Sequence, residues 1–317
     1  MNPLRPVILA AAGSGRVKRI LAGAPVTAPI VRRFVAGEGR PEVIEAVGGL
    51  LADGRAVSVD FLGENTTDRV QAERAVAEYL ALMNDMAALD ISAVSNTAAP
   101  LEISVKLSAL GQTLPGGGPA LSTDHLRTVC TKAAQAGIWV TVDAEDHTTT
   151  DATLAAVEQV RPDFPWLGTV VQAYLRRSEG DCRELAAAGA RVRLCKGAYR
   201  EPESVAYRRR VEVDSAYLRC LEILARGAGR PLVASHDPLM IAAAGRMAAE
   251  TGRGAGDLEY QMLYGIRADE QRRLAATGQF VRVYVPYGDQ WYGYLMRRLA
   301  ERPANLAFFL RALAGRQ

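Results

Sequence analysis

The sequence predicts an α/β fold, a closed parallel barrel of eight strand–helix units, from three observations. Short runs rich in β-branched residues alternate with helical stretches at a steady spacing. Eight such runs follow one another without a change of register, and eight is the number at which a parallel sheet closes on itself. No GxGxxG follows the first run, so the doubly wound nucleotide-binding sheet, which shows the same alternation, lacks its phosphate signature here.

The first strand is read at 57–63 (Val-Ser-Val-Asp-Phe-Leu-Gly), followed by a helix near 67–88 with Val76, Leu80 and Met83 on one buried face. The second is 102–107, then a Gly/Pro loop at 115–119 and a helix near 122–136. The third, Trp139 to Asp143, precedes a helix from about 149 to 160. The fourth and fifth are 168–174 and 191–197, and the helix after the fifth repeats apolar residues at Val213, Tyr217, Cys220, Leu221 and Leu224. Strands six, seven and eight fall at 231–236, 258–263 and 280–285, and a last helix around 290–302 ends at Pro303. We read one domain over 1–317: a helical preamble at 1–50 capping a barrel at 51–317.

Composition excludes several classes. With 38 basic and 35 acidic residues the net charge is only +3, and no Lys/Arg stripe interleaved with aromatics appears, so nucleic acid is not an expected partner. Cys130, Cys182, Cys195 and Cys220 form no CxxC pair and the chain has three histidines, so no metal site is expected and the thiols read as reduced. Arg5, Arg16, Lys18, Arg19, Arg32 and Arg33 all precede the first acidic residue, Glu38; a transit peptide has that bias, and the reading preferred here is a basic helical preamble. No run approaches the ~18 apolar residues of a spanning helix. The expected location is the cytoplasm.

In such barrels the chemistry sits at the C-terminal ends of the strands. Those ends are polar: Glu64, Lys106 and Ser108, Asp143 to His147, Gln172 and Tyr174, Arg193, Lys196 and Tyr199, His236 and Asp237, Gln261 and Tyr264, and Tyr284. On the last helix Tyr294, Arg297, Arg298 and Glu301 follow i, i+3, i+4, i+7 and share a face. Adjacent arginines near a third cation, Lys106, suit a small carboxylate or zwitterion, since guanidinium binds carboxylate through paired hydrogen bonds. Spacing alone leaves alternatives open. Asp143-Ala144-Glu145-Asp146-His147 imitates a metal cluster, Lys106 or Lys196 has the chemistry of a Schiff-base lysine, and a non-catalytic amino-acid-binding barrel would use similar groups.

The chain resembles the proline dehydrogenase family. The stretches that carry the resemblance, in the family's order, are 34–38 (Phe-Val-Ala-Gly-Glu), 61–64 (Phe-Leu-Gly-Glu), 103–110 (Ile-Ser-Val-Lys-Leu-Ser-Ala-Leu) and 142–145 (Val-Asp-Ala-Glu). They continue with 170–175 (Val-Val-Gln-Ala-Tyr-Leu), 193–199 (Arg-Leu-Cys-Lys-Gly-Ala-Tyr), 259–265 (Glu-Tyr-Gln-Met-Leu-Tyr-Gly), 282–288 (Arg-Val-Tyr-Val-Pro-Tyr-Gly) and 294–301 (Tyr-Leu-Met-Arg-Arg-Leu-Ala-Glu). The likeness runs from about residue 30 to the C-terminus and is to the monofunctional form.

The resemblance implies a distorted (β/α)8 TIM barrel with its last helix drawn over the strand ends. It implies FAD as cofactor and L-proline as substrate, with hydride transfer to FAD N5 giving Δ1-pyrroline-5-carboxylate, the first step of proline catabolism. Electrons would pass to a quinone, with peripheral membrane contact. Lys106, Arg297 and Arg298 would hold the proline carboxylate; Tyr284, Tyr294 and Leu263 would wall its ring; Asp143 would hydrogen-bond within the pocket. Gln172 and Arg193 would contact the flavin ring, and Cys195, Gly197, Ala198 and His236 the rest of the cofactor. Two positions depart from the family pattern: Cys195 stands where valine is usual, and Ser235-His236-Asp237 where Thr-His-Asn is usual.

Overall fold

A computed structural model describes residues 28–63, 66–95 and 99–301; the side chains of 28–30 and 297–301 lie outside the described residues. The strands are β1 (Ala56–Phe61), β2 (Leu101–Val105), β3 (Trp139–Val142), β4 (Gly168–Gln172), β5 (Arg191–Cys195), β6 (Arg230–Ala234), β7 (Glu259–Leu263) and β8 (Phe280–Tyr287). All pair in parallel with their chain neighbours, and β8 closes on β1, so the sheet is a complete barrel.

Helices α1 (Ala28–Phe34) and α2 (Arg40–Ala52) precede β1, and α2 packs on β1 and β8. Then α3 (Arg69–Met86), α4 (Gly118–Ala136), α5 (Thr150–Val160), α6 (Ser178–Ala187), α7 (Arg210–Arg226), α8 (Pro238–Glu250) and α9 (Ala268–Ala276) follow β1 to β7 in turn. Finally, α10 (Trp291–Glu301) follows β8. The helices start where side chains satisfy their orphan amides. Asp68 accepts from Gln71 N at 2.9 Å and Asp237 from Leu239 N at 3.1 Å, while Pro41, Pro119 and Pro238 occupy first turns that need no amide donor. Among the described residues no helix is long and apolar enough to cross a membrane.

The strands fall where the sequence places them, but β1, β2, β4, β5 and β6 each end two residues earlier and β8 two residues later than expected. Strands four and five stop at Gln172 and Cys195, two residues short of expectation. Pairing persists beyond them, as Ala173 N donates to Cys195 O at 2.8 Å and Tyr174 N to Lys196 O at 3.0 Å, but Leu175 N already turns back to Gln172 O at 3.0 Å. A tight turn at the barrel rim overrides the β propensity of the run.

The strand period of two divides the core. Val57, Val59, Ile103, Val105, Val140, Val142, Val283 and Val285 face outward and pack with α2 to α5. Val171, Val192, Leu194, Val233, Tyr260 and Met262 do the same against α6 to α9. The alternate positions point into the barrel, and most of them are polar: Ser58, Asp60, Glu102, Ser104, Thr141, Gln172, Arg191, Arg193, Glu259, Gln261 and Arg282 are all buried. An interior usually filled by branched aliphatics is here a charged network.

The cysteines follow this partition. Cys130, Cys182 and Cys220 lie in the outer apolar layer, and burial pushes the Cys130 thiol up to about 12. Cys195 alone is half-buried, at the strand-end rim. Native protein treated with iodoacetamide is therefore expected to label at Cys195 first, the other three reacting only after unfolding; peptide mass spectrometry checks this, since the thiolate is the reactive form. Equal labelling of all four in folded protein would contradict the packing described.

Candidate active site

Two layers of charge fill the barrel beneath the mouth. In the lower one Arg282 donates to Glu259 at 2.6 Å, and Arg191 to Glu102 at 2.5 Å while stacking over Trp139 at 4.2 Å. Burial alone would raise the Glu102 carboxyl, but Arg282, Arg191 and Arg193 hold it well below the usual carboxylate range. A buried carboxylate survives here only because several guanidiniums surround it.

Arg193 on β5 joins this layer to the next. Its Nε donates to Gln261 Oε1 at 2.5 Å, Nη1 to Ser104 Oγ at 2.7 Å and Asp143 Oδ1 at 2.5 Å, and Nη2 to Ser58 Oγ at 3.1 Å and Glu102 Oε1 at 2.8 Å. That uses all five guanidinium N–H groups. Burial opposes its charge, yet Asp143 and Glu102 leave the guanidinium pKa raised.

The upper layer brings Lys106, Asp143 and Tyr284 together. Tyr284 donates to Asp143 Oδ2 at 2.7 Å, Lys106 Nζ lies 3.5 Å from the Tyr284 hydroxyl and 3.7 Å from Asp143 Oδ2, and Arg193 sits 5.3 Å from the Tyr284 ring centroid. Burial first, then Asp143, pushes the Tyr284 phenol well above its ordinary value, so it stays a hydrogen-bond donor. Lys106 is clamped by both oxygens of Asp60, at 2.7 and 2.8 Å.

The other expected residues are distributed around this centre. Gln172, paired in register with Cys195, donates to Glu145 O at 2.8 Å, and Glu145 in turn accepts from Ser108 N at 3.0 Å. Cys195 Sγ lies 3.7 Å from Val171 O. His236 Nε2 accepts from Leu263 N at 2.9 Å, tying the ends of β6 and β7. Tyr294 is buried on α10, beside Trp291, whose Nε1 donates to Glu38 at 2.7 Å. The side chains of Arg297 and Arg298 lie outside the described residues, as does Glu64.

The residues of two alternative readings take separate places. His147 is on a loop and bonds to Glu201, as does Tyr174 at 3.3 Å, so the run from Asp143 to His147 splits between different partners. Lys196 leaves the barrel interior and bonds to Asp214 at 2.5 Å and Asp237 at 2.8 Å, on the outer side of the rim. An open cavity of about 470 Å³ beside Thr67, Leu114 and Gly117 includes none of the clustered residues.

Reading by strand ends found Lys106, Asp143, Gln172, Arg193, Gln261 and Tyr284, and missed Asp60, Ser58, Glu102, Ser104, Arg191, Glu259 and Arg282. The missed residues share the parity of the found ones, two or four positions earlier on the same strands, or on β1 beside them. Polar residues at i and i+2 within otherwise apolar strands were the available signal.

Two features of the rim bear on where a flavin would sit. Gly197 has φ +111, and a Cβ there would collide with the Tyr174 ring, so only glycine lets the half-exposed 195–199 loop lie this closely against β4. Beside it stand the Gln172 amide and, within the barrel, the Arg193 charge.

Fold and site together define an α/β-barrel enzyme whose mouth holds a buried cluster of paired charges, Lys106 with Asp60 and Arg193 with Asp143. The proline dehydrogenase family model matches residues 43–311. Proline dehydrogenase 1 of Bacillus subtilis is 36% identical over 282 residues, covering 89% of this chain and 90% of that one. The Deinococcus radiodurans proline dehydrogenase is 37% identical over 286 residues, covering 90% of each. Among solved structures, proline utilization A from Bdellovibrio bacteriovorus, inactivated by N-propargylglycine, superposes with a TM-score of 0.80 at 26% identity; the match covers 92% of this chain and 36% of that longer one. The chain belongs to the proline dehydrogenase family.

Proposed function

We propose that this protein oxidises L-proline to Δ1-pyrroline-5-carboxylate with FAD and passes the electrons to a quinone at a membrane surface. The observation that carries the reading is the Lys106, Asp143, Tyr284 and Arg193 cluster at the strand ends. The whole chain, 1–317, acts as one barrel domain, a reading supported by the packing of α2 on β1 and β8.

In this reading Lys106 holds the substrate carboxylate, with Arg297 and Arg298 from α10. Tyr284, Leu263 and Tyr294 wall the ring, and Leu263 shares the inward parity of Gln261. Asp143 anchors rather than reacts: its oxygens already accept from Ser104, Arg193 and Tyr284, which fixes the phenol against the ring. Gln172, Cys195, Gly197, Ala198 and His236 hold FAD, which when bound supplies the two-electron acceptor. The N–H groups of Arg193 all serve the barrel, so it acts toward the cofactor through its charge, favouring the reduced form.

The direct test is anaerobic addition of L-proline to the purified protein. It is expected to be yellow and to bleach without NAD; colourless protein that stays inert after FAD reconstitution would sink the reading.

Tyr284→Ser tests the ring wall. An aromatic wall leaves little room for a hydroxyl on the far ring carbon, so wild type should prefer proline strongly over trans-4-hydroxy-L-proline. The variant loses packing, worth ~25 cal/mol per Å2 of apolar surface, and proline kcat/KM should fall more than that of the hydroxylated substrate. An unchanged selectivity ratio in a folded variant would remove Tyr284 from the wall.

A further inference from the structure

We propose that Asp60 is the positioning residue for Lys106: from β1 it holds the ammonium at the barrel mouth, charged and aimed, where a substrate carboxylate meets it. This rests on the reading that Lys106 binds that carboxylate.

Lysine reaches its site on a flexible four-carbon stem and, unlike arginine, has no planar fork to orient it. A buried ammonium therefore needs a partner to fix both its position and its proton. Asp60 is 1% exposed and both its oxygens lie on Lys106 Nζ, at 2.7 and 2.8 Å. The chelate directs two of the three ammonium N–H groups toward β1 and so turns the ammonium's remaining side toward the mouth, where Nζ also donates to the Tyr284 hydroxyl at 3.5 Å.

Asp60 faces inward opposite Ser104, on the same row as the site. Among the described residues, the groups around Lys106 include Asp60 from β1, Tyr284 from β8 at 3.5 Å and Asp143 past the end of β3 at 3.7 Å, with Arg193 of β5 behind Asp143 at 2.5 Å. Asp143 is engaged by Ser104, Arg193 and Tyr284. Of the two carboxylates near Lys106, Asp143 is thus held mainly by Arg193 and Asp60 by the lysine. Asp60 is too deep, and too closely held by Lys106, to need a role in contacting substrate.

The probe is cyclopentanecarboxylate, which keeps the ring and carboxylate of the substrate but has no nitrogen to oxidise. Its binding to the flavin-loaded full-length protein is measured by titration calorimetry across a pH series. Asp60→Asn should weaken it roughly tenfold or more, as expected when one partner of a buried ion pair is lost. Affinity in that variant should also fall with rising pH from a lower pH than in wild type, because the buried ammonium sheds its proton more readily. Asp60→Glu, which keeps the charge, should restore binding in part, and the flavin content should not change. Wild-type affinity at every pH in Asp60→Asn would overturn the proposal.

Should Asp60→Asn fail to fold, the Asp60→Asn/Lys106→Met pair leaves neither charge buried. It should bind the probe no more weakly than Lys106→Met alone. A further loss in the double variant would show that Asp60 does not act through Lys106. If wild type does not bind the probe, or Lys106→Met binds it normally, the carboxylate role of Lys106 itself is wrong and the Asp60 proposal falls with it.

Discussion

Arg193→Met is expected to lower thermal stability sharply. Arg193 is 5% exposed and its five N–H groups serve Gln261, Ser104, Asp143, Ser58 and Glu102, contributed by four different strands or strand ends. Methionine fills much of the volume but leaves Glu102 and Asp143 short of a counter-charge in the barrel interior. Breaking a buried pair from one side costs about 3–5 kcal/mol, whereas exchanging the whole group for apolar residues costs far less. At about 2–4 °C per kcal/mol in larger domains, Tm should drop on the order of 10 °C.

The comparison is Arg176→Met. Arg176 is exposed, stacks over Tyr207 at 4.7 Å and donates to Glu203 O at 3.2 Å; exposed cation–π contacts contribute ~0.5–1 kcal/mol. Calorimetric melting of both variants decides the matter. Equal Tm values would mean that the inner network does not hold the barrel together.

Lys106→Met is expected to leave flavin content near wild type while proline kcat/KM collapses. A buried, hydrogen-bonded charge that meets a substrate carboxylate is worth about 2–5 kcal/mol, on the order of tens- to thousands-fold. Arg298→Met should fall on the same side of that division, because Arg297 and Arg298 belong to α10, which follows β8 at the mouth. Anaerobic proline titration reads the substrate effect, and bound flavin per protein reads the cofactor effect. Near-normal kinetics in Lys106→Met would mean that Asp60 holds the lysine for a structural purpose only.

Much of the site was legible because barrel topology converts position along a strand into depth. Lys106 and Asp143 directly follow β2 and β3, Gln172 ends β4, and Arg193 and Tyr284 stand two and three residues before the ends of β5 and β8, so polar residues near strand ends are nearly a list of mouth residues. Asp60 is not a strand end by sequence, because Phe61, Leu62 and Gly63 continue the run beyond it. Glu102, Arg191 and Arg282 were passed over because they open or centre their strands, where an apolar interior is the ordinary expectation.

The sequence by itself determined the order and number of strands, the helices between them, the family, and the converging polar residues that lie near strand ends. These are local or cumulative properties: β-branched runs, a period of two or 3.6, and motifs fixed in order along the chain. Only the tertiary structure decided which charges neutralise which. Lys106 and Lys196 carry the same side chain near the same rim, yet one turns inward to Asp60 and the other outward to Asp214 and Asp237. One residue of strand parity separates an inward from an outward position, and the partners lie 46, 18 and 41 residues away in the chain. Coulomb energy depends on distance and on how much water remains between the charges, and closure of the barrel sets both.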